Sequence, residues 1–319
     1  MRERTYRFGT QDGTELYVYE WLPDTAPTGI LHVVHGMCET AERYRRFANA
    51  ACDAGWLVLA HDQRGHGRTA PTPQDLGHLG PDGFQRMLDD IRQLQLAIGQ
   101  THPHLPRIIL GHSMGSFLVR WYASQFGRDL AGVVLSGTGQ PARLALRAGA
   151  LFAYWKMRTD GAAARSPLLT KLLFGSYNRA FRPTRTPFDW LSGDSDEVNQ
   201  YLEHPFCGQP FSNEAYYQFY QGLLKATHRR TLQSIPKHLP LLIFAGDRDP
   251  VGGYGRGIRR FTRQLDSAGL EQVSVKLYPG GRHEMLNETN RDLVTKDILN
   301  WLAIQRAAWP TPNRPKKHV

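Results

Sequence analysis

Apolar residues along the chain fall into two rhythms. Compact apolar runs at 30–34, 56–60, 108–110, 130–136 and 241–245 have the length and branched content of buried strands, and 273–278 reads as the last strand. Elsewhere apolar positions recur every three or four residues. Tyr44, Phe47, Ala48 and Ala51 do so within 41–54, and Met87, Leu88, Ile91, Leu94 and Ile98 within 84–98. Those stretches predict amphipathic helices, as do 254–268 and 289–307. At the start, 5–8 and 14–21 predict a hairpin turning at Gln11-Asp12-Gly13. Its half-exposed alternation of Glu15, Tyr17 and Tyr19 with Leu16, Val18 and Glu20 suits a sheet edge. Strands alternating with helices predict an α/β protein with a mostly parallel, doubly wound sheet.

The rhythm changes between Gly137 and Ile235. No buried strand is evident over roughly a hundred residues, and helical pieces at 142–158, 167–181, 195–203 and 213–227 are broken by proline and glycine. Aromatic residues crowd this stretch. It reads as a helical cap, 137–235, inserted into a core made of 1–136 and 236–319.

The 319 residues, 41% of them hydrophobic, supply ample core for such a domain. No apolar run is long enough to span a bilayer, and no apolar segment follows the first charged residues as in a signal peptide. The expectation is a cytoplasmic protein, with a peripheral membrane role left open. Cys38, Cys52 and Cys207 are too widely spaced for a disulfide framework or a C-x-x-C site. The 13 histidines form no paired ligand spacing, so neither metal nor cofactor is expected. The formal charge of +10 suits contact with anionic membrane surfaces, but no nucleic-acid motif accompanies it. The one dense basic tail is the terminal RPKKHV.

Candidate chemistry centres on 107–126. Gly111-His112-Ser113-Met114-Gly115 fits G-x-S-x-G between an apolar run and a helical pattern formed by Phe117, Val119, Trp121, Tyr122 and Phe126. A strand, sharp turn and helix would expose the Ser113 hydroxyl at a sheet end, and Gly111 and Gly115 would prevent Cβ collisions across the turn. A serine nucleophile needs a base and a group to orient that base. Asp249 and His283 follow the ends of the last two predicted strands, so Ser113, Asp249 and His283 run in the order of an α/β-hydrolase triad. Asp247 is a rival for the acid, and Asp249 could instead cap a helix. Backbone N–H groups of Met114, after the nucleophile, and Met37, after His35-Gly36, would form the oxyanion hole.

Together His35-Gly36-Met37, Asp62-Gln63-Arg64-Gly65-His66-Gly67, the Ser113 turn, Asp249 and His283 resemble the α/β-hydrolase fold. Within it the chain is similar to the monoacylglycerol lipase and lysophospholipase group, over about 5–310. The resemblance implies a serine carboxylester hydrolase of monoacyl lipids, working through an acyl-enzyme on Ser113. The chain departs from the group at Cys38, where H-G-x-G-E-H has glycine, and at Thr69, where G-H-G-x-S has serine. A lid rich in apolar side chains suits an acyl chain, each buried methylene contributing about 0.8 kcal/mol. Tyr177, Phe181, Phe206 and Phe211 are the candidates for its lining. Alternatives on the same fold are a short-chain esterase and a proline iminopeptidase-like peptidase. The peptidase would hold its substrate's amine with acids such as Glu197, Glu203 or Glu214. A hydrophobic-ligand or membrane-binding homologue without catalysis is the alternative of another class.

Overall fold

The computed structural model describes residues 1–309. The basic tail RPKKHV lies outside the described residues. Eight strands form one sheet: β1 Arg2–Gly9, β2 Glu15–Leu22, β3 Gly29–Val34, β4 Trp56–His61, β5 Arg107–His112, β6 Gly132–Ser136, β7 Leu241–Gly246 and β8 Val273–Tyr278. Their spatial order is β1-β2-β4-β3-β5-β6-β7-β8. The first two strands run antiparallel, and every pairing from β4 to β8 is parallel. Strands β3 to β7 are buried almost end to end because helices cover both faces. On one face lie α1 Arg45–Asp53 and α10 Arg291–Ala308, with Phe47, Ala51, Ile298 and Trp301 packed on the sheet. On the other lie α2 Gly83–Thr101, α3 Met114–Phe126 and α9 Arg256–Ser267, which contribute Met87, Ile91, Leu118 and Phe261. This is the doubly wound α/β arrangement that the two apolar rhythms predict.

Three local readings change. Strand β2 is no edge. It pairs with β4 as well as β1, and Tyr19 and Glu20 are buried, so the exposed edge falls to β1. The buried Glu20 carboxylate accepts a hydrogen bond from Arg4 across the hairpin at 2.9 Å. The helix expected over 41–54 starts as a 3-10 turn, Ala41–Tyr44, because Thr40 caps it two residues on and the α-helix begins only at Arg45. The stretch 167–181 breaks at Gly175-Ser176 into a short helix and a 3-10 turn, Tyr177–Phe181.

Between β6 and β7 the chain is helical: α4 Arg143–Asp160, α5 Pro167–Phe174, α6 Ser195–Glu203, α7 Asn213–Ala226 and α8 Arg229–Ser234. Part of it forms a small cluster of its own around Trp190, Leu191, Tyr201 and Cys207, and the rest joins the main core. Phe219 of α7 packs edge-on to Phe84 of α2, and Leu223 and Ala226 join the same cluster as Leu118 and Ile243. Its 188–191 stretch reaches the loop after β8, where the Trp190 and Leu191 carbonyls accept from the His283 and Glu284 N–H groups.

Candidate active site

Ser113 sits at the junction of β5 and α3 with φ 50° and ψ −119°, a backbone region that costs a non-glycine residue about 1–3 kcal/mol. Its neighbours hold it there. The Ser113 N–H donates to the Ser136 carbonyl of β6 at 2.9 Å, and the Ser116 hydroxyl donates to the Ser113 carbonyl at 2.6 Å. A Cβ on Gly111 would lie 2.5 Å from the Gly115 carbonyl oxygen, and one on Gly115 2.5 Å from the His35 oxygen. Both glycines are therefore required by close approach. The side chain of Ser113 is half-buried and faces a cleft.

Asp249 and His283 meet beside that cleft. The His283 Nδ1–H donates to Asp249 Oδ1 at 3.0 Å, which leaves Nε2 as the basic nitrogen. The same oxygen accepts from the Val251 N–H at 2.8 Å, while Asp249 Oδ2 is buried with no hydrogen-bond partner. Both residues are almost fully buried. Burial opposes the imidazolium charge, but the Asp249 carboxylate and its hydrogen bond outweigh it and raise the His283 pKa above the usual 6.5. The rings of His112 and Trp190 flank His283 at 4.7 and 4.9 Å. Asp247, the rival acid, is exposed and accepts from the Gly280 N–H instead.

The two N–H groups named for an oxyanion, Met37 and Met114, flank Ser113 in the cleft wall. Met114 is the first residue of α3, so its N–H lacks a helical acceptor and lies at the positive end of the helix dipole. The loop carrying Met37 is braced by a buried network that the residue pattern did not reveal. The Gly36 N–H donates to Glu39 Oε1 at 2.5 Å, and the Tyr44 hydroxyl donates to the same oxygen at 3.0 Å. Arg43 donates to Glu39 at 2.8 Å and, through both terminal nitrogens, to Glu284 at 2.7 and 2.6 Å. Glu284 directly follows His283. Burial would push its carboxyl up, but the Arg43 charge and hydrogen bonds hold it down at about 2. The only sign of this brace in the chain is the spacing of Glu39 and Arg43, which a helical turn makes neighbours.

Two cavities open from Ser113. The larger, about 470 Å³, is walled mainly by Phe117, Leu146, Phe174, Phe219, Tyr220 and Leu223. The smaller, about 60 Å³, has Glu39, His112, Thr170, Tyr201 and Glu284 in its wall. Ser113, Met37, Phe174 and Trp190 line both. Of the four aromatics expected at a substrate, Tyr177 lines the larger cavity. The other three are elsewhere. Phe181 lies under the Arg282 guanidinium at 4.5 Å, Phe206 packs beside His204 and Arg68, and Phe211 is fully buried against His66 and Tyr216. They satisfy cations and core, and Phe174, Trp190, Phe219 and Tyr220 take the lining role.

Residues 25–290 match the family described as Serine aminopeptidase, S33. The monoacylglycerol lipase of Mycolicibacterium smegmatis is 31% identical over 310 residues, covering 93% of this chain and 96% of its own. The chain belongs to this α/β-hydrolase family, in its monoacylglycerol lipase-like group. The monoglyceride lipase of Mus musculus is 31% identical and covers 93% of the chain and 89% of its own length. A solved structure of a thermostable carboxyl esterase from Bacillus coagulans, in complex with glycerol, superposes with a TM-score of 0.89 at 30% identity. It covers 96% of this chain and 99% of that one.

For an α/β-hydrolase of this group, Cys38 is a clear departure. It has φ 58°, a left-handed conformation that glycine adopts without strain. Its carbonyl accepts from the Tyr201 hydroxyl and the Gly208 N–H, each at 2.9 Å. Those two bonds hold the loop in place of glycine's conformational freedom. The thiol is buried, and burial pushes its pKa up, so it is an inert packing group rather than a reactive one.

Proposed function

We propose that this serine hydrolase cleaves carboxylic esters of monoacyl lipids, with monoacylglycerols or lysophospholipids as substrates. The observation that carries the reading is the pair of unequal cavities meeting at Ser113. The larger one suits an acyl chain, and the compact one, mostly apolar but with Glu39, His112, Thr170 and Glu284 in its wall, suits a small leaving group with hydroxyls to place. The glycerol complex of the Bacillus coagulans esterase and the names of the two lipase relatives agree with this division. The helical segment 137–235 acts as the cap, since its side chains wall most of both cavities.

In the proposed mechanism, His283 Nε2 takes the proton from Ser113 as its oxygen attacks the ester carbonyl. Asp249 keeps the imidazole in the required tautomer and stabilises the imidazolium. The oxyanion binds the Met37 and Met114 N–H groups, each worth about 2.7–4 kcal/mol of barrier stabilisation. His283 returns the proton to the leaving alcohol, and a water activated at Nε2 then releases the acid from Ser113. The test is a hydrolysis panel of p-nitrophenyl esters of rising length, monoacylglycerols, lysophospholipids and a prolyl amide. Turnover should favour long monoacyl esters and vanish in Ser113→Ala. Residual turnover near the wild-type level in that variant would remove the assignment. The peptidase alternative shares the description of the matching family, but no carboxylate lines the larger cavity, and Glu39 and Glu284 of the smaller one are already paired with Arg43. Glu197 is instead paired with Arg46 at 2.5 Å.

The reading includes docking of the cap on anionic lipid. Leu144, Leu151, Trp155, Leu168 and Leu172 are exposed on α4 and α5, and the chain carries +10 charge. Co-sedimentation with anionic vesicles should be strong at low salt and weaker at high salt. No sedimentation at either would refute docking.

A further inference from the structure

We propose that the acyl cavity ends in an anion subsite, formed by Arg143, Arg229, Arg256 and Arg260. It would receive a carboxylate carried on the distal end of the substrate's acyl chain. This rests on the ester-hydrolase reading above. A third cavity, of about 560 Å³, adjoins the larger one and shares Gln140, Pro141, Ala142 and Arg260 with it. Arg256 lies on the acyl side of that junction, and Arg143 and Arg229 lie beyond it. A chain bound at Ser113 that runs away from the reacting serine therefore emerges among four guanidinium groups.

Arg229, Arg256 and Arg260 are exposed and Arg143 half-buried, and none of the four is ion-paired to a carboxylate among the described residues. No Asp or Glu lines either cavity. Arg143 donates to the Leu224 carbonyl at 3.0 Å and Arg260 to the Gln140 carbonyl at 3.5 Å, both neutral acceptors. A fifth cation stands behind the junction. Arg120 is fully buried, donates to the Gly139 carbonyl and the Gln140 side chain at 2.7 Å each, and stacks on Phe261 at 3.8 Å. Its Nε is buried with no hydrogen-bond partner. A buried guanidinium without a carboxylate is unusual, since isolated buried charge is costly. Here it lies behind Gln140, a residue that lines both cavities.

An all-hydrocarbon tail leaving there would pack on Pro141, Ala142 and Leu232 but leave the guanidinium groups without an anionic partner. A carboxylate would accept charge-assisted, bidentate hydrogen bonds from guanidinium groups that present that geometry. With the ester held at Ser113 and the acid held at the arginines, chain length becomes a selected quantity. The ligand class is thus a half-ester of an α,ω-dicarboxylic acid.

The test compares p-nitrophenyl half-esters of dicarboxylic acids with esters of monocarboxylic acids of equal carbon number, across a length series. At one length the half-ester should lead by about tenfold in kcat/KM, the usual worth of a partly exposed charge-assisted contact. That lead should shrink in Arg260→Gln and in Arg143→Gln, persist in Arg260→Lys, and fall with added salt. A half-ester that never outruns its partner, or a lead unchanged by both glutamine variants, overturns the proposal. Equal inhibition of both ester types by free succinate or phosphate also overturns it, since the arginines would then hold a free anion. Calorimetric titration of Ser113→Ala with long dicarboxylates and monocarboxylates reads the subsite without turnover. The dicarboxylate should bind more tightly there, and equal affinity for the two would overturn the subsite independently of the ester-hydrolase reading.

Discussion

His283 and Arg43 are both buried cations or potential cations beside a carboxylate, and they serve the site differently. At His283 the folded pKa is raised, so the imidazole becomes the required neutral base only as pH rises through a value above 6.5. kcat/KM should therefore climb with pH along a limb set by that value. Asp249→Asn should move the limb to lower pH and cut kcat by about 10⁴-fold through loss of the tautomer. A stopped pH-rate series on both forms checks this, and an unmoved limb would exclude Asp249 as the partner. Arg43 instead joins two buried carboxylates that would otherwise stand unpaired. Arg43→Met should cost about 3–5 kcal/mol in urea unfolding, and Arg43→Lys should recover part of it. Loss under about 1 kcal/mol would mean that water reaches the pair. At this scale residue type and order in the sequence point to Ser113, Asp249 and His283, and the hydrogen bond between the last two is consistent with the roles proposed for them. The sequence was silent on Glu284, because that residue's partner is far away in the chain.

Helices and strands were legible where one face is apolar and the other is not. Strands β3 to β7 stand where their apolar runs predict, since parallel strands buried on both faces need continuous apolar sequence. The hairpin misled because Tyr17, Tyr19 and Glu20 look half-exposed by type, yet β4 buries the last two. Lining residues of the cap were the least legible. A helix that packs on α2 and α3 also faces the cavity, so Tyr216 and Phe219 of α7 carry the same pattern and different roles. Packing between α4 and α7 offers a test. A Cβ on Gly149 of α4 would lie 2.6 Å from the Tyr220 ring, which lines the cavity. Gly149→Ala should push that ring inward, cost about 1–3 kcal/mol, and shift the preferred acyl length downward. A length profile of kcat/KM identical to wild type would show that the ring yields elsewhere.

Across the whole molecule, several histidines are held neutral in the core. Burial lowers the pKa of His32 and His66 to about 3 and of His112 to about 4. Unfolding frees each to bind a proton below about 6.5, so stability is full above that pH and declines as pH falls toward the folded values. By pH 5 the loss should approach about 2 kcal/mol for each such group. His283 acts in the opposite sense, stabilising below its raised pKa, and is outnumbered. Denaturant midpoints should drop steadily from pH 7 to pH 4.5, and a flat profile would contradict the buried neutral histidines. The +10 charge, visible in composition alone, sharpens the decline by adding self-repulsion.

The brace from Arg43 to Glu284 joins residues 241 positions apart. A chain made from its amino terminus emerges with Ser113 early and the His283 loop nearly last. The loop closed by Arg43 and Glu284 is long, and contacts of that separation form late in folding. A nascent chain on the ribosome can thus build β1 to β6 and the serine turn while lacking base, acid and brace. On the proposed triad, hydrolytic competence would then arrive only with completion of synthesis, and a partly made protein would carry an inactive serine.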